Sequence, residues 1–147
     1  MKGLKTALIN WLHSNGFDVM VDFAEDSSYD KDKLVINLGM ESYPNVGRYF
    51  EQYLYEYGLE YTGIFDEVLA FLHELGHHMT INSFSEKEIF ILAMSKEFLD
   101  VPDEHEWYEE YWLMPDELAA NMWEINFINS NIEVVEELCD IFIRECV

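Results

Sequence analysis

Apolar and polar positions recur along this chain with two different periods. Leu4, Leu8, Trp11 and Leu12 share one face of a 3.6-residue period, which predicts a helix over Lys2 to Ser14 with Asn15-Gly16 as its stop. From Phe17 to Phe23 apolar residues alternate with mostly polar ones, the period of a half-buried strand. Leu34 to Leu38 predicts a second strand, antiparallel to the first, and the charged stretch Glu25 to Lys33 reads as a turn between them. Gly39 to Asn45, with Pro44, reads as a loop. Val46 to Tyr57 predicts a helix whose face is Tyr49, Phe50, Tyr53, Leu54 and Tyr57.

Helical spacing then dominates. Ile64, Val68, Leu69, Leu72, Leu75 and Met79 predict a helix over Ile64 to Ile81. Ser85 and Glu88 match a capping box that opens a helix to about Phe98, with Pro102 beyond its end. Asp103 to Trp112, dense in acids and aromatics, reads as a loop or short helix. Pro115 suits the first turn of the next helix, as do Asp116 and Glu117, and that helix continues through Leu118, Asn121, Met122, Ile125 and Phe127. Ile132 to Cys146 predicts a last amphipathic helix. With no internal repeat or linker, residues 1–147 read as a single domain. The class is α+β, mostly helical with a small, largely antiparallel sheet.

The chemistry concentrates in His73-Glu74-Leu75-Gly76-His77. Two histidines four apart on a helix stand on one face and can reach one zinc ion. In an H-E-x-x-H helix the glutamate sits beside the metal without binding it, placed to take a proton from a metal-bound water. The motif thus proposes a metal, a nucleophile and a base, the set expected of a zincin-like hydrolase. Gly76 costs about 1 kcal/mol inside a helix relative to alanine, so it implies close approach of another backbone. Zinc in a hydrolytic site takes three protein ligands and keeps an open position. His78 points about 100° away from His77 around the helix and reads as a supporting or solvent-facing residue. His13 and His105 read as surface residues. The third ligand is therefore expected to be a carboxylate on a later helix. Asp116 and Glu117 both fit, and both also suit a helix N-terminus without any metal.

Composition adds a second theme. Thirty acids face eight lysines and arginines, a formal charge of −22. Such a surface repels nucleic-acid phosphates and anionic membranes and attracts basic proteins. No stretch approaches the roughly 20 apolar residues of a membrane span, and the N-terminus lacks the h-region of a signal peptide. Cys139 and Cys146 stand about 10 Å apart on one helix, too far to bridge, which is consistent with reduced thiols and the cytoplasm.

His73-Glu-Leu-Gly-His77 together with Glu117-Leu-Ala-Ala120-Asn121-Met-Trp123-Glu124 resembles the ImmA/IrrE-type zinc metallopeptidases. A downstream helix in that family carries a pattern like E-x-x-A-[ND]-x-[FW]-A, and Glu124 departs from the final small residue. The resemblance spans about residues 64 to 130. It implies Zn²⁺ held by His73, His77 and Glu117, with Glu74 as the catalytic base. It implies a peptide substrate belonging to a DNA-binding regulator, in a phage or mobile-element context. The gap from His77 to Glu117 is longer than usual for the family, so the helix Ser85 to Phe98 reads as an insertion that decorates the core. His78, Tyr111, Asn121 and Glu124 are the expected supporting residues, with Glu124 placed to fix a ligand histidine's tautomer. His78, Tyr108 or Tyr111 could assist as a donor, and the strand Leu34 to Leu38 could pair with an extended peptide. Two imidazoles and a carboxylate suit zinc but tolerate manganese, cobalt or iron. The alternative is an acidic, DNA-mimic-like interaction protein that keeps the fold and blocks a nucleic-acid-binding partner.

Overall fold

The computed structural model describes residues 2–39 and 49–146. The predicted loop after Gly39 and the predicted helix start at Val46 lie outside them. The chain is α+β and mostly helical. Helix α1 (Lys2–Ser14) leads to strands β1 (Met20–Ala24), β2 (Ser28–Asp30) and β3 (Val35–Gly39). Helices α2 (Tyr49–Glu56), α3 (Asp66–Thr80), α4 (Glu86–Glu97), α5 (Glu104–Trp112), α6 (Pro115–Ser130) and α7 (Ile132–Cys146) follow.

The sheet differs from its prediction. Its order is β1-β3-β2, and β1 pairs with β3 in parallel, Val21 opposite Ile36. The antiparallel partner of β3 is β2, which lies inside the stretch expected to be only a turn. Ser28-Tyr29-Asp30 carries no apolar alternation to announce a strand. The chain reverses into β3 because the Asp30 carboxylate accepts from the backbone of Asp32 and Lys33, both at 3.0 Å, and Leu34 adopts φ 55°. The strand Leu34 to Leu38 is thus central and hydrogen-bonded on both sides, so it cannot accept a peptide. Among the described residues the free edges belong to β1 and β2.

Helix α3 is the centre of the fold, and contacts the sheet, α6, α7 and α2. Val68, Leu69, Phe71, Leu72 and Leu75 are fully buried. They join Leu4, Leu8 and Leu12 of α1 and Val135, Leu138 and Phe142 of α7 in one core. Each such aliphatic or aromatic side chain contributes about 1.5–3 kcal/mol by leaving water. The capping box forms as predicted, with Ser85 and Glu88 exchanging bonds of 3.1 and 3.0 Å. Asp103 caps α5 by accepting from the Glu106 amide, so the acidic stretch is a helix.

Candidate metal centre

Helices α3 and α6 meet more closely than ordinary side chains allow. A β-carbon on Gly76 would lie 2.6 Å from the Ala120 carbonyl oxygen, so only glycine fits there. This approach brings the polar edge of α3 against an unusual buried stripe on α6. Asp116, Glu117, Asn121 and Glu124 are all buried, while Met122 on the same helix is exposed. A polar stripe turned inward against two histidines is the arrangement a metal requires and an apolar core does not.

Glu117 reaches both histidines. Its carboxylate lies 2.8 Å from His73 Nε2 and 3.1 Å from His77 Nε2. Ligand atoms around tetrahedral zinc, each about 2.0–2.1 Å from the ion, stand about 3.3 Å from one another. These separations are close to that, and the donors are the nitrogen, nitrogen and oxygen that zinc accepts, so the residues present fit the ion. Glu74 lies beside them, with ligand atoms of His73, Glu74 and His77 within 4.8 Å of one another. Asp116 clusters with His77 and Glu117 on the same criterion. Its ion pair, however, is with Lys96, whereas Glu117 touches both imidazoles.

His73 Nδ1–H donates to Asn121 Oδ1 at 2.7 Å, which leaves Nε2 facing Glu117. Asn121 thus takes the orienting part expected of Glu124. Both Glu124 carboxylate oxygens are fully buried with no hydrogen-bond partner among the described residues. Burial pushes the Glu124 carboxyl well above the usual range.

Burial works against the charged form of His73. The Glu117 hydrogen bond and the charges of Glu74, Glu117 and Glu124 outweigh it and hold the pKa up at about 9. Burial likewise opposes the Glu117 carboxylate, but the hydrogen bonds and charges of His73 and His77 hold it well below the carboxylate range. The Glu74 carboxyl is raised, chiefly by burial. That is the direction a general base needs.

Lys96 was absent from the expectations. It comes from α4, the helix read as decoration, and its Nζ lies 2.6 Å from Glu117 Oε2 while also pairing with Asp116. Its one signal is scarcity, as one of eight cations in an acid-rich chain. Phe50 of α2 was also missed; its ring meets His73 edge-on at 5.5 Å.

His73, Glu74, His77 and Glu117 line a cleft of about 640 Å³ together with Tyr29, Tyr108, Tyr111 and Trp112. Burial, reinforced by the Glu117, Glu74 and Asp116 charges, pushes the Tyr111 phenol far above its ordinary value, so it keeps its proton. His78 faces the sheet instead. Burial lowers its pKa, and its Nδ1 accepts from Tyr29 Oη at 2.7 Å. His13 and His105 are exposed, and His105 pairs with Glu109 one turn on.

Compared with protein-family models, curated proteins and solved structures, the chain gives no match. The chemistry of the centre follows from its own side chains. They can hold one divalent ion between α3 and α6 and present a carboxyl group and a phenol to whatever enters the cleft.

Proposed function

We propose that the chain is a zinc-dependent metallopeptidase similar to the ImmA/IrrE type. The observation that carries this reading is the Glu117 carboxylate in contact with both His73 and His77, with Glu74 beside them. His73, His77 and Glu117 hold the ion. Zinc there supplies a Lewis acid and a water acidified to a pKa of about 7. Glu74 accepts the proton of the attacking water and returns it to the leaving amine. The Tyr111 phenol, protonated and in the cleft wall, donates to the developing oxyanion. An extended peptide pairs with β2, whose Ser28 and Tyr29 line the cleft.

The substrate is a basic, DNA-binding regulatory protein, and the chain works in the cytoplasm of a cell carrying a phage or mobile element. The charge of −22 and the free Cys139 thiol support that placement. The same charge favours a second reading, an acidic interaction protein that blocks such a partner without cutting it.

Two measurements test the peptidase. Elemental analysis should find one zinc per chain, lost in His77→Ala and in Glu117→Ala. The zinc-loaded wild type should cleave a peptide library, read by mass spectrometry, and Glu74→Gln should bind zinc and cleave nothing. A zinc-loaded wild type that leaves the library intact overturns the reading.

A further inference from the structure

Helix α4 is apolar on two faces. Ile89 and Lys96 turn toward the cleft and line it. On the other side stand Phe90, Ile91 and Met94, at i, i+1 and i+4 within one stripe about 100° wide, and Phe98 follows them at the helix C-cap. They are 65%, 51%, 38% and 71% exposed. A surface helix ordinarily turns charged or polar residues outward. Here two phenylalanines, an isoleucine and a methionine form a continuous exposed row, the composition of an interface core rather than of solvated surface.

Charge decides what covers the row. Glu86, Glu88 and Glu97 flank it on α4, exposed Asp100, Asp103 and Glu104 follow directly, and the one cation beside it, exposed Lys87 at its N-terminal end, is outnumbered by these six acids. A second copy of this chain brings the same acidic rim and another −22, so self-association is opposed. An anionic membrane is opposed on the same ground. A helix with an apolar face and lysines or arginines along its borders satisfies both the row and the rim. We propose that the outer face of α4 is a docking site for a basic amphipathic helix of a partner protein. The site stands whether or not the metal centre cleaves peptides. Its inner side carries Lys96 to Glu117 and Asp116, so the docked partner lies one helix diameter, about 10 Å, behind the cleft wall.

The test uses the full chain and a fluorescent leucine–lysine helix of about 18 residues, five turns long. Its isomer of scrambled order serves as control, and anisotropy is read at physiological salt. The wild type should bind the amphipathic peptide about tenfold or more tightly than the isomer. Phe90→Ser/Phe98→Ser should erase that preference with an unchanged Tm, since both side chains are exposed. Glu86→Lys/Glu97→Lys should weaken binding of both peptides. Equal affinity for the two peptides, or a preference that survives the serine pair, overturns the proposal. So does a concentration-dependent dimer, or binding to phosphatidylserine vesicles, that the serine pair abolishes; these would assign the face to a second copy or to a membrane.

Discussion

The carbonyl of Ala120 occupies the space where Gly76 would carry a side chain, so that α3 and α6 touch backbone to backbone. One turn away from this contact on either helix lie His73 and Glu117. The helix spacing that glycine permits is the spacing that lets an imidazole on one helix meet a carboxylate on the other.

Gly76→Ala gains helix propensity of about 1 kcal/mol. It also drives a methyl into a backbone oxygen that cannot rotate away. Overpacking of this kind costs about 1–3 kcal/mol, at the upper end here. The net expectation is a Tm lower by about 3–6 °C, at about 3 °C per kcal/mol for a chain of this size. Zinc affinity should fall with it. A variant as stable as the wild type would show that α6 shifts freely.

Asn121→Ala removes the acceptor that holds His73 Nδ1–H. Loss of such an orienting bond weakens metal binding by about 10–100-fold while the ligands remain. Chelator competition should show that loss with one zinc still bound at saturation. Glu124→Gln, which alters a group with no hydrogen-bond partner among the described residues, should change zinc affinity less than Asn121→Ala does.

Lys96→Met strips Asp116 of its ion-pair partner and Glu117 of one of its three, leaving it His73 and His77. Breaking a buried pair by removing one partner costs about 3–5 kcal/mol. The metal-free variant should unfold at lower denaturant by about that amount. Zinc should recover more stability in the variant than in the wild type, because the ion then stands in for the ammonium lost beside Asp116 and Glu117. Equal stabilisation of both proteins by zinc would separate Lys96 from the metal centre.

The metal-free protein should be most stable in a window of pH. His73 is raised in the fold from 6.5 to about 9, so its contribution is complete below 6.5 and is lost as pH climbs toward 9. Glu117 is depressed from 4.5, so its contribution is complete above 4.5 and is lost as pH falls below it. Between those limits both contribute, and denaturant titrations from pH 4 to 9 should show a maximum there. In Glu117→Gln the loss on the alkaline side should shrink, since His73 then lacks its hydrogen-bonding carboxylate.

What could be read along the chain was local. The H-E-x-x-H helix, the need for a glycine at 76, the Ser85–Glu88 box and the proline start of α6 each lie within a few residues, and each formed. The parallel pairing of β1 with β3 depends on the insertion of β2, and Ser28-Tyr29-Asp30 has no apolar period to reveal it. Asn121 and Glu124 share a face of α6, so which of them meets His73 turns on the axial offset between two helices, a tertiary quantity. Lys96 was hidden because α4 is apolar on both sides, which leaves no period to say which side faces in.

Lys96 also bears on what the cluster needs in order to close. The histidines compensate Glu117, but Asp116 beside it would be buried without a counter-charge. A lysine carried on the same polypeptide lets these acids close into the fold without an ion, so that any ion the centre takes up would enter a chain already built around it.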